Sequence, residues 1–307
     1  ENNLKWAALP DLPGGLGVAG PFVGVHNDAL IIGGGANFPD GVPWRPTAGG
    51  GVSAKVYHDT IHVVTRDGYS IAEAKAKLPR TLGYGISVPT ADGVLCIGGE
   101  WREGGVTHRS AKVFALGQAD GQVVIDENYP ALPKGTTAAA GALVGETVYV
   151  AGGDSGDGAT KNFWALDLAK RGAADFGWVT LPPWDGPART HLLASAQHDG
   201  ATDCLYIFSG RMKDGDGHWR MLGDAHKFNP KSGEWKKIHD ILPSGDGQPR
   251  CVMAGTVAPI GANQLLVFGG ANGKRFITLT GLSEQIAAAE AAGNTAAAAT
   301  PKAGQQK

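Results

Sequence analysis

Cysteine and charge are both scarce in this sequence. It has three cysteines among 307 residues, and only 18% of its residues are charged, with a formal net charge of −2. Three scattered thiols are too few for the disulfide framework of a small secreted domain. A chain without a basic excess has no field to hold a nucleic acid, and no apolar run approaches the ~20 residues of a membrane-spanning helix. We therefore expect neither nucleic acid nor a membrane span.

Glycine, by contrast, is abundant, and hydrophobic residues are frequent enough for a core. The chain contains 48 glycines, roughly twice the usual share of ~7%. Hydrophobic residues make up 42% of the sequence, whereas a disordered chain would have fewer. The composition predicts a globular chain that is rich in turns.

An apolar run that ends in paired glycines recurs along the chain. Its four clear copies are Ala29–Gly34, Val94–Gly99, Val148–Gly153 and Leu265–Gly270. A fifth copy, Leu205–Gly210, has serine in place of the first glycine. A Leu-Pro pair lies 20 to 28 residues before the first glycine, or the serine, of each copy. Two markers that stay in phase five times indicate an internal repeat.

Each repeat unit has the pattern of four short strands. The first is rich in small residues, the second ends at the glycine pair, the third carries an aromatic residue and the fourth often opens with tryptophan. Gly210, Phe228 and Trp235, with six residues between the two aromatics, resemble the kelch repeat. One unit cannot bury its own face, so the units must stack. The sequence therefore predicts an all-β fold of the kelch-type β-propeller kind.

The repeats predict five blade units and an incomplete six-bladed ring. Residues Leu4–Pro10 have the pattern of a final strand whose blade lacks its earlier strands, and the fifth unit loses the pattern after its second strand. We expect the propeller over residues 1–275 and an Ala-rich helical insertion or tail, partly disordered, over 276–307. The alternative is a closed five-bladed ring in which Leu4–Leu9 pairs with Arg275–Leu279.

Three arginines lie at similar places beside the innermost strands. Arg80 follows a Leu-Pro pair, and Arg189 and Arg250 precede the first strands of the fourth and fifth units. The start of the innermost strand borders the central funnel of a propeller, so we expect these arginines to converge there. Guanidinium groups bind carboxylates through paired hydrogen bonds, which predicts a small acidic ligand. The alternative is that each arginine pairs with a neighbouring blade.

Glu100 directly follows the glycine pair of the second unit, and Asp154 is its nearest analogue. A carboxylate at that place could act as a general base if the funnel desolvates it. A surface salt bridge is the alternative. The nine histidines show no paired ligand spacing, so we expect no metal site.

Five stretches of the chain share a narrower likeness. They are Asn3–Trp6, Ile32–Phe38, Leu78–Ser87, Ile97–Glu100 and, less specifically, Phe228–Trp235. Together they resemble the N-acetylneuraminate mutarotase (epimerase) family, in particular its cyclically permuted members, over most of residues 3–275. The resemblance implies a six-bladed propeller that interconverts the α and β anomers of sialic acid by acid/base ring opening, without a cofactor. It also implies a periplasmic or secreted protein.

The resemblance implies cationic groups at the sugar carboxylate and an acid/base group at the anomeric hydroxyl. We expect Asn37 and Tyr84, with the three arginines, to bind the sugar. In that family the catalytic Glu lies in an Asn-Gly-Glu…Arg stretch, and this sequence holds no copy of it. Glu100 is therefore the local candidate and not one that the family assigns. The alternative function is a non-catalytic kelch propeller that binds a glycan or a protein.

Overall fold

The computed structural model describes residues 6–42, 53–66, 69–242 and 247–293. They form an all-β, kelch-type propeller fold, as the repeats predict. Four antiparallel four-stranded sheets follow one another along the chain, and a fifth sheet of two strands comes after them. The first three residues of the Asn3–Trp6 stretch lie outside this description.

The first two blades have the same plan, with a small hairpin inserted between their second and third strands. The segments of the first blade are β1 (Phe22–His26), β2 (Ala29–Gly33), β3 (Ala36–Asn37), β4 (Val56–Tyr57), β5 (Thr60–Thr65) and β6 (Ile71–Lys77). Those of the second are β7 (Ile86–Thr90), β8 (Gly93–Ile97), β9 (Glu100–Glu103), β10 (Val106–Arg109), β11 (Val113–Ala119) and β12 (Gln122–Asp126). The sheet orders are β1-β2-β5-β6 and β7-β8-β11-β12, with β3–β4 and β9–β10 as the inserted hairpins.

The next two blades repeat the four-strand order. The third consists of β13 (Ala140–Val144), β14 (Thr147–Ala151), β15 (Phe163–Asp167) and β16 (Val179–Thr180), with a 3-10 turn at Leu168–Lys170. The fourth consists of β17 (Leu193–His198), β18 (Asp203–Phe208), β19 (Arg211–Lys213), β20 (Trp219–Met221), β21 (Ala225–Asn229) and β22 (Glu234–Lys237). Here β19–β20 is the inserted hairpin.

The fifth unit has two described strands, β23 (Thr256–Ile260) and β24 (Gln264–Phe268), and then becomes helix α1 (Lys274–Ala291). Residues 275–279, which the closed-ring alternative requires as a strand, lie in this helix, so that alternative is wrong. Gly273 has a φ of 80° at the helix start, where a Cβ would lie 2.2 Å from Met221 Sδ. Glycine thus lets the helix pack closely on hairpin β19–β20. Among the described residues, no helix combines the length and hydrophobicity that a bilayer crossing requires.

The hydrophobic core is divided into clusters that lie between consecutive blades. Between the first two blades, the rings of Phe22 and Phe114 meet edge to face at 5.7 Å. Between the third and fourth, Phe163 and Phe228 meet at 4.9 Å, and Trp235 packs on Phe163 at the same distance. The aromatic residues of the repeat therefore stabilise the contact between blades, because each blade buries its faces only against its neighbours.

The glycine pairs are required by the backbone. Gly98 and Gly99 have φ angles of 66° and 100°, which side chains rarely adopt. A Cβ on Gly98 would lie 2.6 Å from the carbonyl oxygen of Thr136 in the next blade. Ser209 of the degenerate copy keeps the same backbone, with a φ of 60°. The fourth blade therefore makes the same turn as the others.

Two positions in each unit build the inner rim. The residue directly after the two left-handed residues of each turn is here called the post-glycine position; in the first unit those two are Gly34 and Gly35. The post-glycine residue bridges to the segment before its own first strand, and its occupants are Ala36, Glu100, Asp154, Arg211 and Ala271. Beside each bridging partner is a residue with left-handed backbone, here called the rim position; its occupants are Gly20, Tyr84, Ala138, His191 and Ala254. From the second unit onward, the backbone N–H of each rim residue donates to the backbone carbonyl of the rim residue in the preceding unit, at 2.7–3.0 Å. These hydrogen bonds connect the five units around one centre.

Candidate functional site

The inner rim surrounds a cavity of about 650 Å³, here called the funnel cavity. Rim residues Tyr84 and His191 line it, together with post-glycine residues Glu100, Asp154 and Arg211. The repeat therefore delivers side chains from the second, third and fourth blades to one space. The cavity lies within the range of ~300–1,000 Å³ that is usual for small-molecule sites.

Glu100 is held from the first blade. The Tyr57 hydroxyl donates to Glu100 Oε1 at 2.5 Å, and Lys55 Nζ lies 3.6 Å from the same oxygen. Burial, followed by the hydrogen bond and charge of Glu100, raises the pKa of Tyr57 well above its usual range. The phenol therefore stays protonated and remains a donor. The Lys55 ammonium lies 4.0 Å from the ring centroid of Tyr84, so Lys55 itself is fixed by an aromatic face.

Both carboxylate oxygens of Asp154 already accept hydrogen bonds. Arg109 binds Asp154 in a bidentate manner, Nε donating to Oδ1 and Nη2 to Oδ2, at 3.1 Å each. The Gly156 N–H also donates to Oδ1 at 2.7 Å. A carboxylate with both oxygens engaged fixes the third blade's loop and is poorly placed to accept another proton. Of the two carboxylates at post-glycine positions, Glu100 is the better base.

The fourth blade contributes to the cavity the guanidinium of Arg211, which forms no ion pair among the described residues. Arg211 Nη2 lies 3.4 Å from His191 Nε2, and Arg211 Nε is buried without a hydrogen-bond partner in the described part of the chain. Its guanidinium lies 4.9 Å from the ring of Trp219 and 4.0 Å from that of Phe276 in α1. Burial lowers the pKa of Arg211, which indicates a charge that lacks local compensation.

His191 is neutral at ordinary pH. Burial, followed by the charges of Arg211 and Lys55, lowers the pKa of His191 to about 4. Its Nδ1 lies 3.1 Å from the Thr190 hydroxyl. Since Arg211 can only donate, Nε2 is the acceptor and the proton of the neutral ring is on Nδ1. His191 therefore orients the guanidinium without adding a charge.

The arginines predicted to converge on the funnel do not do so. Arg189 is fully buried and donates to Asp224 Oδ2 at 2.6 Å and to the Ser209 carbonyl at 3.1 Å. Arg80 is exposed, with its guanidinium 3.9 Å from the ring of Trp101. Each of these two already has a local partner, and Arg189 pairs inside its own blade and not with a neighbouring one, as the alternative had it.

Arg250 and Asn37 lie at separate cavities. Arg250 is exposed and borders a space of about 570 Å³ next to α1. Asn37 Oδ1 lies 2.9 Å from His58 Nε2, and its amide borders a cavity of about 250 Å³. Of the residues proposed from the sequence, the structure brings Tyr84 and Glu100 into the funnel cavity.

Sequence reasoning missed Arg211, His191, Lys55 and Tyr57. A signal for Arg211 exists, because it follows Ser209-Gly210 as Glu100 follows Gly98-Gly99, but the serine disguises the copy. Lys55 and Tyr57 lie in or beside an inserted hairpin, where the repeat has no period.

One possible metal-ligand group occurs among the described residues, at the turn of hairpin β19–β20. The ligand atoms of Asp214, Asp216 and His218 lie within 4.8 Å of one another. Asp214 accepts hydrogen bonds from the backbone N–H groups of the other two, and its Oδ2 pairs with Arg220 at 2.7 Å. The turn and Arg220 account for this cluster without an ion.

Comparison with known proteins gives one consistent result. The sequence profile of the N-acetylneuraminate epimerase family matches residues 129–300. An N-acetylneuraminate epimerase of Haemophilus influenzae (strain PittEE) is 32% identical over 146 residues, which are 48% of this chain and 34% of that protein. One of Yersinia enterocolitica is 36% identical over 115 residues, 34% of this chain and 28% of the relative. The chain thus spans about a third of the length of these curated relatives.

A solved structure supports the fold. The structure titled "Structure of YjhT" superposes with a TM-score of 0.69, covering 89% of this chain and 83% of that one at 16% identity. This likeness shows the propeller fold alone. The family profile matches more than half of the 307 residues. The chain therefore belongs to the N-acetylneuraminate epimerase family.

Proposed function

We propose that this protein binds a sialic acid in the funnel cavity and interconverts its α and β anomers. The observation that carries the proposal is that Glu100, a held carboxylate, and Arg211, a guanidinium without an acidic partner among the described residues, face the same cavity. A sugar acid offers the complementary pair, an anomeric hydroxyl and a carboxylate. Membership in the N-acetylneuraminate epimerase family supports this choice of sugar.

Glu100 acts as the general base of ring opening. It takes the proton of the anomeric hydroxyl, the anomeric carbon–ring oxygen bond breaks, and the ring oxygen gains a proton from solvent or a cavity hydroxyl. The anomeric carbon becomes a ketone in the open chain. Rotation presents its other face, and the reverse proton transfers close the ring as the second anomer. Atoms and charge balance, and no oxidant or reductant is needed.

Arg211 anchors the sugar carboxylate. Its fork of donors suits a carboxylate, and Trp219 offers an aromatic face beside it. A bound anion would compensate the buried positive charge. His191 keeps the guanidinium oriented, because its Nε2 accepts from Nη2. This arrangement fixes the anomeric centre relative to Glu100.

The test is anomer exchange of N-acetylneuraminate followed by NMR. We expect the wild-type protein to accelerate exchange and Glu100→Gln to lose about 10²- to 10⁴-fold of that acceleration, the usual weight of a general base. Glu103→Gln, in the same hairpin but exposed, is the matched control and should exchange at the wild-type rate.

Two outcomes would contradict the proposal at different levels. An unchanged rate in Glu100→Gln would remove Glu100 from the mechanism. Binding of the sugar by the wild-type protein with no acceleration would favour the alternative, a propeller that binds a glycan without chemistry.

A further inference from the structure

The groups that hold Glu100 come from a different blade. Glu100 lies at the start of β9 in the second blade, whereas Tyr57 ends β4 in the inserted hairpin of the first. The two residues are 43 positions apart, and Lys55 precedes the same strand. The side chain of Glu100 is 15% exposed. Its environment is therefore set largely by the neighbouring hairpin.

Both contacts fall on one oxygen. Tyr57 and Lys55 engage Glu100 Oε1, and Oε2 has no contact among those found within the described residues. A carboxylate fixed through one oxygen keeps the lone pairs of the other available in a defined direction. Such fixation is what a base needs to meet a bound substrate at reactive distance.

We propose that Tyr57 and Lys55 are positioning residues for Glu100, which hold Oε1 so that Oε2 is presented to the sugar. The inference rests on the proposed function and deepens it, because it makes the acid/base site a composite of two blades. Neither residue needs to touch the reacting atoms.

The surroundings of the pair keep it intact. The Lys55 ammonium lies between the rings of Tyr84 at 4.0 Å and Tyr57 at 5.0 Å, and the two rings pack at 6.4 Å. Asp154 lines the same cavity but is bound by Arg109, so it does not compete for Lys55. The other charged or titratable groups lining the cavity are Asp157, His191, Arg211 and Lys213.

The first test is steady-state anomer exchange in Tyr57→Phe and Lys55→Met. We expect kcat to fall about 10- to 100-fold in each, which is the range for loss of a hydrogen bond to a charged group, while KM stays within about twofold. The fall in kcat without a matching rise in KM is expected because the sugar still binds while the carboxylate that meets it is no longer held. Lys55→Arg keeps the charge and should recover part of the rate.

The matched controls lie outside the cavity. Tyr69→Phe changes an exposed tyrosine of the first blade, and Lys75→Met changes an exposed lysine of β6. Both should leave kcat and KM unchanged. A fall in kcat in these controls equal to that in the cavity variants would assign the loss to the stability of the first blade and overturn the proposal.

A second measurement does not depend on catalysis. The side-chain carboxyl of Glu100 can be observed by ¹³C NMR in protein labelled at glutamate, with Glu100→Gln identifying the resonance. We expect Tyr57→Phe to change the ¹³C chemical shift of this carboxyl at a fixed pH, since the hydrogen bond to Oε1 is lost. Tyr69→Phe should leave this chemical shift unchanged.

The outcomes separate the two proposals. If Glu100→Gln abolishes exchange while Tyr57→Phe leaves kcat and the ¹³C chemical shift of the Glu100 carboxyl unchanged, the positioning role is wrong and the proposed function stands. If Tyr57→Phe raises KM alone, Tyr57 binds substrate and does not position the base, which also overturns the inference. If Glu100→Gln exchanges normally, the proposed function fails, whatever the chemical shift of the carboxyl shows.

Discussion

Arg189 and Arg211 of the fourth blade each lie near a histidine, and among the described residues only Arg189 also pairs with a carboxylate. Arg189 is fully buried and donates to Asp224 Oδ2 at 2.6 Å, and His226 Nε2 lies 2.8 Å from the same oxygen. Arg211 lies 3.4 Å from His191 at the funnel cavity and forms no ion pair with a described residue. The same side-chain types are thus used with and without internal charge compensation.

The difference separates a structural arginine from one available for a ligand. Burial acts to raise the pKa of Asp224, but the hydrogen bonds from His226 and Arg189 outweigh it and hold that pKa well below its usual range. The charge of Arg189 is therefore compensated within the fold. The charge of Arg211 has no such compensation among the described residues, so Arg211 is the better placed of the two to bind an anion.

The largest expected effect comes from removing the carboxylate of the compensated pair. Asp224→Asn leaves Arg189 buried without its counter-charge, and we expect it to lower the free energy of unfolding by about 3–5 kcal/mol. Urea denaturation measures this. Arg211→Met is the counterpart and should change stability by less than about 1 kcal/mol, because no internal ion pair is lost. Equal destabilisation by Asp224→Asn and Arg211→Met would contradict the distinction between a compensated and an uncompensated arginine.

The next effect concerns ligand affinity. Arg211→Met should weaken binding of N-acetylneuraminate about 10- to 100-fold, the cost of a charge-assisted hydrogen bond. Arg211→Lys keeps the charge but loses the paired donors, so its affinity should lie between those of the wild type and Arg211→Met. Titration calorimetry measures the binding.

The controls for this affinity test are a second arginine and a second ligand. Arg220→Met, on the same hairpin but paired with Asp214, should bind like the wild type. The methyl ester of the sugar lacks the negative charge, so its affinity should be similar in wild type and Arg211→Met. If Arg211→Met weakens the ester as much as the acid, Arg211 does not hold the carboxylate.

The fold was predictable from the sequence because its signals are local and repeat. A left-handed backbone and a close approach require the pairs such as Gly98-Gly99, and the core between blades requires the aromatics such as Phe228 and Trp235. These demands recur in each unit, so their spacing reveals the propeller.

The candidate site was less predictable because its partners are distant in the chain. Arg189 lies next to an innermost strand as expected, yet Asp224, 35 residues away, binds it inside the blade. Glu100 was found from its position, but the residues that hold it come from an insertion without a repeat pattern. Position in a repeat predicts where the backbone goes, whereas the pairing of charges depends on packing.

The effect of pH sharpens the comparison at His191. Its pKa of about 4 in the folded protein lies below the ~6.5 of an unfolded chain. As pH falls through about 6.5 the unfolded chain takes up the proton first, so the native state loses stability until about pH 4. The unfolding free energy between pH 7 and 4 should fall less steeply in His191→Gln than in wild type. An unchanged slope in His191→Gln would contradict the assignment.

The smallest expected effect tests whether helix α1 contributes to the part of the funnel cavity around Arg211. Phe276 lies 4.0 Å from the Arg211 guanidinium and meets Trp219 edge to face at 4.9 Å. Because a cation–π contact outside a desolvated site contributes ~0.5–1 kcal/mol, Phe276→Ala should weaken binding of N-acetylneuraminate about 2- to 5-fold by calorimetry. Ile277→Ala, at an exposed neighbour on the helix, should not. If both bind like the wild type, hairpin β19–β20 and His191 alone orient Arg211. If Phe276→Ala alone is weaker, the anion-binding wall extends beyond the propeller strands to the helix that follows them.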